Sequence, residues 1–233
     1  MGLPTFVSIR NLPSEREEQR AVLASPEIER VLCFALGPDG TNNISQACFK
    51  WIARMGVGQK SEVVMCVTPE IALERSRELT DETVLGIFWT CAVYDREKDL
   101  FFGNPDTFPF YFQETMPLDE MQLATRPELV HPGGGLISGP SWRIASHPSP
   151  EGLLKSLRCE IVRALSNADA AILCASGVAE ACITTESARA KQGLTTLHVF
   201  GSPEMVFFGG ITEEGAALIQ RVHERMSRVS AGQ

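Results

Sequence analysis

The sequence predicts an α/β fold, because short apolar runs alternate with segments whose apolar residues recur at helical spacing. Residues 31–36, VLCFAL, form a continuous apolar run typical of a buried parallel strand. Apolar residues between Ile44 and Met55 then fall on one face of a helix. Four such strands lead into a short loop whose Ser, Thr or Asn opens a helix. This alternation is the signature of α/β proteins.

The remaining elements follow from the same two patterns. Residues 1–28 are polar and predict an N-terminal extension, in which a helix is one option, whereas the irregular stretch 94–109 predicts an insertion or a crossing segment. Helices are predicted after the caps Thr68, Ser149 and Ser166, over 186–192, and along the apolar stripe from Ala217 to Met226. Further strands are predicted at 62–67, 83–89, 110–114, 120–125, 141–145, 181–185, 195–200 and 204–210.

Composition narrows the class of ligand. The 233 residues carry a formal charge of −8 without a basic run, which disfavours nucleic acid as a partner. No apolar stretch is long enough for a membrane span and no signal pattern opens the chain, so we expect a cytoplasmic protein without membrane contact. The seven cysteines are scattered and the four histidines lack metal-binding spacing. We therefore expect core thiols, no metal and no cofactor.

An acidic protein can still bind an acidic ligand through the starts of its helices. The first turn of a helix presents backbone N–H groups and the positive end of the helix dipole. The four capped helix starts would supply this potential without lysine side chains. We expect a small anionic molecule as the partner, and the sequence leaves a homodimer open.

Three segments together resemble landmarks of the prephenate dehydratase superfamily. They are LGPDGTNNISQA at 36–47, IASHPSPEGLLKSL at 144–157 and ITTESARAKQGL at 183–194. Their order and spacing carry the resemblance, which spans about 31–210. The segments SHPSP at 146–150 and TTESARAKQGL at 184–194 resemble the non-aromatising prephenate decarboxylases of the bacilysin (anticapsin) type more than true dehydratases.

One departure from the dehydratases bears on the reaction. Dehydratases carry a Thr-Arg-Phe triplet near the C-terminal end, whose threonine is thought to protonate the leaving hydroxyl. Here that region reads GSPEMVFFGG, in which Met205, Val206 and Phe207 can neither donate a proton nor pair with a carboxylate. The departure disfavours a dehydratase mechanism.

The resemblance implies two α/β lobes with a central cleft, as in type II periplasmic binding proteins. It places the first lobe at about 29–108 plus 196–233 and the second at 109–195. It also implies a cofactor-free decarboxylase that acts on prephenate, or a close cyclohexadiene carboxylate, without aromatising it, in specialised-metabolite (antibiotic) biosynthesis. Two alternatives stay open: a diverged, dehydratase-like eliminating enzyme, and a non-catalytic protein that binds a small carboxylate.

Side chains near the helix starts are the predicted site. His147 is the one histidine within a motif and is the predicted proton carrier, with a backbone-bonding role as the alternative. Each of the others could instead be a simple cap or strand end, and we expect Trp51 and Phe88 to be either ligand walls or core. The predicted substrate-binding residues are Gly40, Thr41, Asn42, Thr90, Ser146, Ser149, Ser166, Thr184 and Thr185.

Overall fold

The computed structural model describes residues 12–37, 42–131 and 142–231. In chain order, its strands are β1 (Arg30–Leu36), β2 (Ser61–Cys66), β3 (Val84–Cys91), β4 (Thr107–Pro117), β5 (Met121–Thr125), β6 (Trp142–Ser146), β7 (Cys159–Arg163), β8 (Ala181–Thr185), β9 (Thr195–Gly201) and β10 (Glu204–Thr212). Its α-helices are α1 (Arg16–Ala24), α2 (Asn43–Met55), α3 (Pro69–Arg77), α4 (Glu97–Phe102), α5 (Asn167–Ala175), α6 (Glu186–Lys191) and α7 (Glu213–Ala231).

The strands form two mixed sheets in two compact units. The first unit comprises the described residues within Met1–Met116 and Met205–Gln233, and the second comprises Pro117–Glu204. Each is an α/β unit with its own sheet, so the predicted fold class of two α/β lobes is confirmed. A cleft between the lobes stays a prediction.

The sheet of the first unit has the strand order β2-β1-β3-β10-β4. β1 runs parallel to both β2 and β3, whereas β10 is antiparallel to β3 and places Phe208 opposite Thr90. The carboxyl ends of β1, β2 and β3 therefore meet at one edge of this sheet. Ligands of open α/β sheets bind at such an edge.

The second unit repeats this arrangement with the strand order β7-β6-β8-β5-β9. β6 is parallel to β7 and β8, and β5 is antiparallel to β8 and β9. The carboxyl ends of β6, β7 and β8 form the second edge at which the sequence motifs are expected to act. We call these two places the carboxyl edges of the two sheets.

The core of the first unit contains the large aromatic side chains. Trp51 packs edge-on against Trp89 with ring centroids 5.5 Å apart, and against Phe112 at 4.8 Å. Trp51 and Phe88 are 1% and 0% exposed. Of the two roles considered for them, ligand wall and core, they therefore have the core role. A Cβ built on Gly210 would lie 2.2 Å from the Phe88 ring, which explains why β10 carries a glycine there.

Two local predictions need correction. The insertion predicted as irregular at 94–109 contains α4, which is anchored by Leu100 at 1% exposure. The helix predicted after Ser149 is only a short 3₁₀ helix, Ser149–Leu154, whose capping position is Pro148 and not Ser149. Pro150 in the second position and Gly152 in the fourth disfavour continuation as an α-helix.

The boundaries of the units differ from those predicted for the lobes. The extension predicted at 1–28 carries α1, whose Val22 and Leu23 are each 1% exposed within the first unit. β4 extends the first unit to Met116, and β9 belongs to the second unit because it pairs with β5. No helix in the described ranges is long and apolar enough to cross a membrane.

Candidate functional site

At the carboxyl edge of the first sheet, β1 enters a turn at Gly37. Its φ of +105° lies in the left-handed region, which favours glycine. Asn42 caps α2 through its Oδ1, which accepts the N–H of Ile44 at 2.8 Å. The predicted site residues Gly40 and Thr41 lie outside the described residues. Asn42 therefore lies at the predicted helix start, and its side-chain oxygen Oδ1 caps α2.

Thr90, near the end of β3, contacts a residue that the sequence analysis missed. Its side chain is completely buried, and Oγ1 donates a hydrogen bond of 2.7 Å to Glu97 Oε2. The Glu97 Oε1 atom is buried and has no hydrogen-bond partner in the structure described. Burial raises the pKa of Glu97, the Thr90 hydrogen bond opposes this, and the charge of Glu70 adds to the rise. The first carboxyl edge therefore contains a buried carboxyl group whose pKa is raised above its ordinary value.

Glu70, in the first turn of α3, forms the other charged group of this edge. Both of its carboxylate oxygens accept from the Tyr94 hydroxyl, at 3.0 and 2.9 Å, and Arg96 lies 3.2 Å away. Burial alone would raise the pKa of Glu70. Hydrogen bonds from its own backbone, Tyr94 and Thr68, with the charge of Arg96, lower that pKa below its ordinary value. Here Arg96 is paired with the protein's own carboxylate.

At the second carboxyl edge, β6 ends in the predicted segment. Ser146 is buried and its Oγ donates 2.9 Å to the carbonyl of His147. The Nδ1 atom of His147 accepts the N–H of Ser149 at 3.3 Å. A neutral imidazole that accepts at Nδ1 carries its proton on Nε2. The hydrogen bond to the backbone that was considered for His147 is therefore present, and in this neutral form the ring proton lies on Nε2.

The start of α5 and the end of β8 meet at the same edge. Thr184 is fully buried, and its Oγ1 donates 2.7 Å to the carbonyl of Asn167. Ser166 caps α5 by accepting the N–H of Asp169 at 3.0 Å, and the Asp169 carboxylate in turn accepts the N–H of Leu165 at 2.8 Å. This reciprocal cap satisfies one first-turn N–H of α5 and the N–H of the residue before the cap from within the chain.

The start of α6 has its own carboxylate. Thr185 accepts the N–H of Ala188 at 3.4 Å, and the N–H of Glu186 bonds to the carbonyl of Glu120 at 2.8 Å. Asp119 Oδ2 accepts both the N–H of Ser187 at 3.1 Å and the Ser187 hydroxyl at 2.5 Å. Asp119 thus lies at the start of α6, where a ligand anion was expected from the sequence. No local sequence pattern predicts this position of Asp119.

The described candidates therefore fall into two groups. Asn42 and Thr90 lie at the first carboxyl edge, whereas the others lie at the second. That second group comprises Ser146, His147, Ser149, Ser166, Thr184 and Thr185. Within the described ranges, no cluster of three or more His, Cys, Asp or Glu side chains is placed to hold a metal ion.

Comparisons with known proteins support the fold. No protein-family model matches the chain, and the search of curated proteins finds no significant match. Among solved structures, the periplasmic VFT2 domain of BvgS from Bordetella pertussis has a TM-score of 0.50 and 15% identity, over 91% of this chain and 92% of that one. The two-lobed α/β fold of periplasmic binding proteins is therefore the class to which this structure is similar.

Two other structures have lower scores. The ancestral amino acid-binding protein AncCDT-1, a precursor of cyclohexadienyl dehydratase, has a TM-score of 0.43 and 14% identity, over 85% of this chain and 90% of that one. The periplasmic molybdate-binding protein of Azotobacter vinelandii has a TM-score of 0.41 and 16% identity, over 85% and 93%.

Proposed function

We propose that the chain binds a small carboxylate and decarboxylates prephenate, or a close cyclohexadiene carboxylate, without aromatising it. The observation that supports this most directly is positional. Every described residue singled out from the motifs lies at one of the two carboxyl edges, where open α/β sheets bind ligands. The cytoplasmic location and the pathway of specialised metabolism belong to the same proposal.

The proposed reaction requires one bond cleavage and one protonation. The bond between the ring and its carboxylate breaks, CO₂ leaves, and the electron pair shifts through the ring diene to a ring carbon that takes a proton. The ring hydroxyl stays in place, so no acid is needed beside it. The strand β10 fits this division, because Met205, Val206 and Phe207 occupy the region in which dehydratases place their acid.

His147 is the proposed proton carrier at the second edge. The acid form of histidine is the imidazolium, so His147 would give its Nε2 proton after Nδ1 is also protonated, which would break the hydrogen bond that Nδ1 accepts from the N–H of Ser149. Ser146, Ser149 and Thr185 supply hydroxyl groups at the same carboxyl edge, and each has at least one contact within the protein. Binding a carboxylate would therefore exchange internal hydrogen bonds for bonds to the ligand.

Incubation of the pure protein with prephenate tests the proposal. We expect release of CO₂ and a non-aromatic product, identified by nuclear magnetic resonance, without the ultraviolet absorbance of phenylpyruvate. Phenylpyruvate would instead support the eliminating enzyme, for which Glu97, buried beside Thr90 with a raised pKa, is the candidate acid. Thermal stabilisation without turnover would support the non-catalytic binding protein. The proposal is refuted if prephenate neither stabilises the protein nor is turned over.

A pair of histidine variants tests the assigned acid. Removal of a general acid lowers kcat by about 10²- to 10⁴-fold, so His147→Gln should lower kcat in that range. His198→Gln is the matched control, because His198 is exposed on β9 and stacks edge-on with Phe200. Equal kcat values in the two variants would remove His147 from the mechanism.

A further inference from the structure

The proposed substrate contains a ring, and a ring needs an apolar wall at its binding site. Ligand sites are lined mainly by apolar and aromatic side chains, with a few polar groups that fix the orientation of the ligand. Trp51 and Phe88, the two aromatic residues considered as walls, are 1% and 0% exposed and belong to the core. The wall must therefore come from aromatic side chains that solvent and ligand can reach.

Four phenylalanine side chains form a continuous row of rings on the first unit. Phe102 packs edge-on against Phe101 with ring centroids 5.0 Å apart, and Phe101 stacks on Phe110 at 5.4 Å. Phe110 packs edge-on against Phe208 at 4.6 Å. These are separations of favourable aromatic pairs. We call these four side chains, two from α4, one from β4 and one from β10, the aromatic row.

Solvent reaches much of the aromatic row. Phe102 is 70% exposed and Phe110 is 37% exposed, whereas Phe101 and Phe208 are half-buried. Contiguous exposed apolar surface marks binding sites, whereas apolar residues exposed singly are ordinary. The aromatic row therefore has the accessibility that Trp51 lacks.

One end of the aromatic row lies beside the candidate site. Phe208 is directly opposite Thr90 in the antiparallel pair of β10 and β3. Opposite residues in such a pair project from the same face of the sheet, with Cβ atoms about 4.5–5.5 Å apart. Thr90 in turn donates a hydrogen bond of 2.7 Å to Glu97 of α4, the helix that carries Phe101 and Phe102. The aromatic row thus begins at the polar contact of the first carboxyl edge.

The charges near Thr90 favour the ring of the ligand over its carboxylates. Glu97 and Glu70 both bring carboxyl groups to this edge, and Arg96 is already paired with Glu70 at 3.2 Å. A ligand carboxylate would meet like charge here, whereas an uncharged ring would not. The ring is therefore the part of the ligand that suits this place.

We propose that Phe208, supported by Phe110, is the wall against which the ring of the bound carboxylate packs. The assignment of this wall rests on the proposed function, because it takes the ligand to be a small carboxylate at the carboxyl edges. It adds that the ligand is cyclic, and it names the side chain that selects a cyclic carboxylate over an acyclic one.

Isothermal titration calorimetry with phenylpyruvate, a ring carboxylate that the proposed reaction does not consume, tests the contact. Phe208→Leu keeps an apolar side chain but removes the ring, and we expect it to raise the dissociation constant about two- to tenfold. Phe208→Ser also removes apolar surface and should raise it about tenfold or more. Phe208→Tyr keeps the ring and should bind as the wild type does. Phe102→Leu is the matched control, because Phe102 lies at the other end of the row.

Kinetics with prephenate give a second readout. A wall binds the ring equally in the substrate and in the transition state, so Phe208→Leu should raise KM by the same factor and leave kcat nearly unchanged. Circular dichroism of each variant checks that the fold is retained. If phenylpyruvate binding depends on Phe208 but prephenate is not converted, the decarboxylase is refuted and the wall is retained.

Several results would overturn the wall. One is a wild-type chain that binds neither phenylpyruvate nor prephenate. Another is wild-type affinity for phenylpyruvate in both Phe208→Leu and Phe208→Ser, and a third is equal weakening by Phe102→Leu. A dimer in sedimentation velocity that Phe208→Ser and Phe102→Leu both dissociate, with the phenylpyruvate affinity unchanged, would instead assign the aromatic row to contact with a second copy.

Discussion

Replacing Gly210 by alanine should destabilise the first unit strongly. The added Cβ would lie 2.2, 2.5 and 2.7 Å from three ring atoms of Phe88, Cζ, Cε2 and Cε1. Carbon atoms in a packed core are about 3.5 to 4.0 Å apart, so the ring would have to move by more than about 1 Å. Phe88 is completely buried in β3 and has little room to move. Overpacking costs about 1–3 kcal/mol, and we expect about 3 kcal/mol here.

Thermal unfolding followed by tryptophan fluorescence measures this cost. Trp51 and Trp89 are buried in the first unit, so their emission reports its unfolding. A loss of about 3 kcal/mol corresponds to a fall in Tm of about 6–12 °C for a protein of this size. Gly152→Ala is the control, because its new Cβ would meet only Lys155 Cε at 4.0 Å.

A double-mutant cycle identifies the clash as the cause. Leucine in place of Phe88 lacks the Cε and Cζ atoms that approach Gly210 most closely. The Gly210→Ala change should therefore cost much less in a Phe88→Leu background than in the wild-type protein. An equal fall in Tm in both backgrounds, or no fall in the wild-type background, would show that Phe88 does not require the glycine.

Three further predictions concern polar contacts. Glu114→Gln should lower the free energy of unfolding in urea by about 3 kcal/mol, because the buried Glu114 lies 2.8 Å from Arg54; an unchanged value would contradict it. Burial raises the folded-state pKa of Glu97, so stability present below the unfolded pKa is lost as pH rises through the folded one. Glu97→Gln should therefore raise Tm near neutral pH but not in acid, and an equal gain at both pH values would refute this. Arg126→Met removes a donor that lies 2.5 Å from the carbonyl of Cys174 in α5 and 2.9 Å from that of Ala179 beyond it, so hydrogen exchange should accelerate in α5 but not in α2.

The local hydrophobic pattern was sufficient to predict those strands and helices that bury a regular run of side chains. β1 and β3 are continuous apolar runs, and both are strands in the structure. α4 escaped prediction because DREKD resembles a polar loop, and the helix has only six residues with Leu100 buried. β4 was predicted too short because Pro109 and Pro117 interrupt its alternation. Tertiary packing decided these cases.

In the candidate site, too, the positions of residues along the strands were predicted from local sequence, whereas their contacts with distant residues were not. The order of strands and turns predicted that Thr90, Ser146 and Thr184 would stand at strand ends, and they do. Their partners could not be predicted in the same way. Asp119 reaches Ser187 from 68 positions away, and only the pairing of β5 with β8 brings them together. Hydrophobic periodicity along the sequence carries no information about such distant pairs.

The helix starts explain why a small polar residue is ambiguous evidence for anion binding. The caps Asn42, Thr68, Ser166 and Thr185 each accept a backbone N–H of the first turn, which leaves the helix dipole but uses one of its donors. At α6, Asp119 uses a further donor and brings its own negative charge. A ligand carboxylate at α6 must therefore displace or face a like charge. The same holds at α3, where the Glu70 carboxylate accepts from its own backbone N–H, whereas the start of α2 carries no such carboxylate bond in the contacts described. A small polar capping residue opens each of these helices. Whether the helix start can bind an anion depends on whether a carboxylate of the protein already lies there.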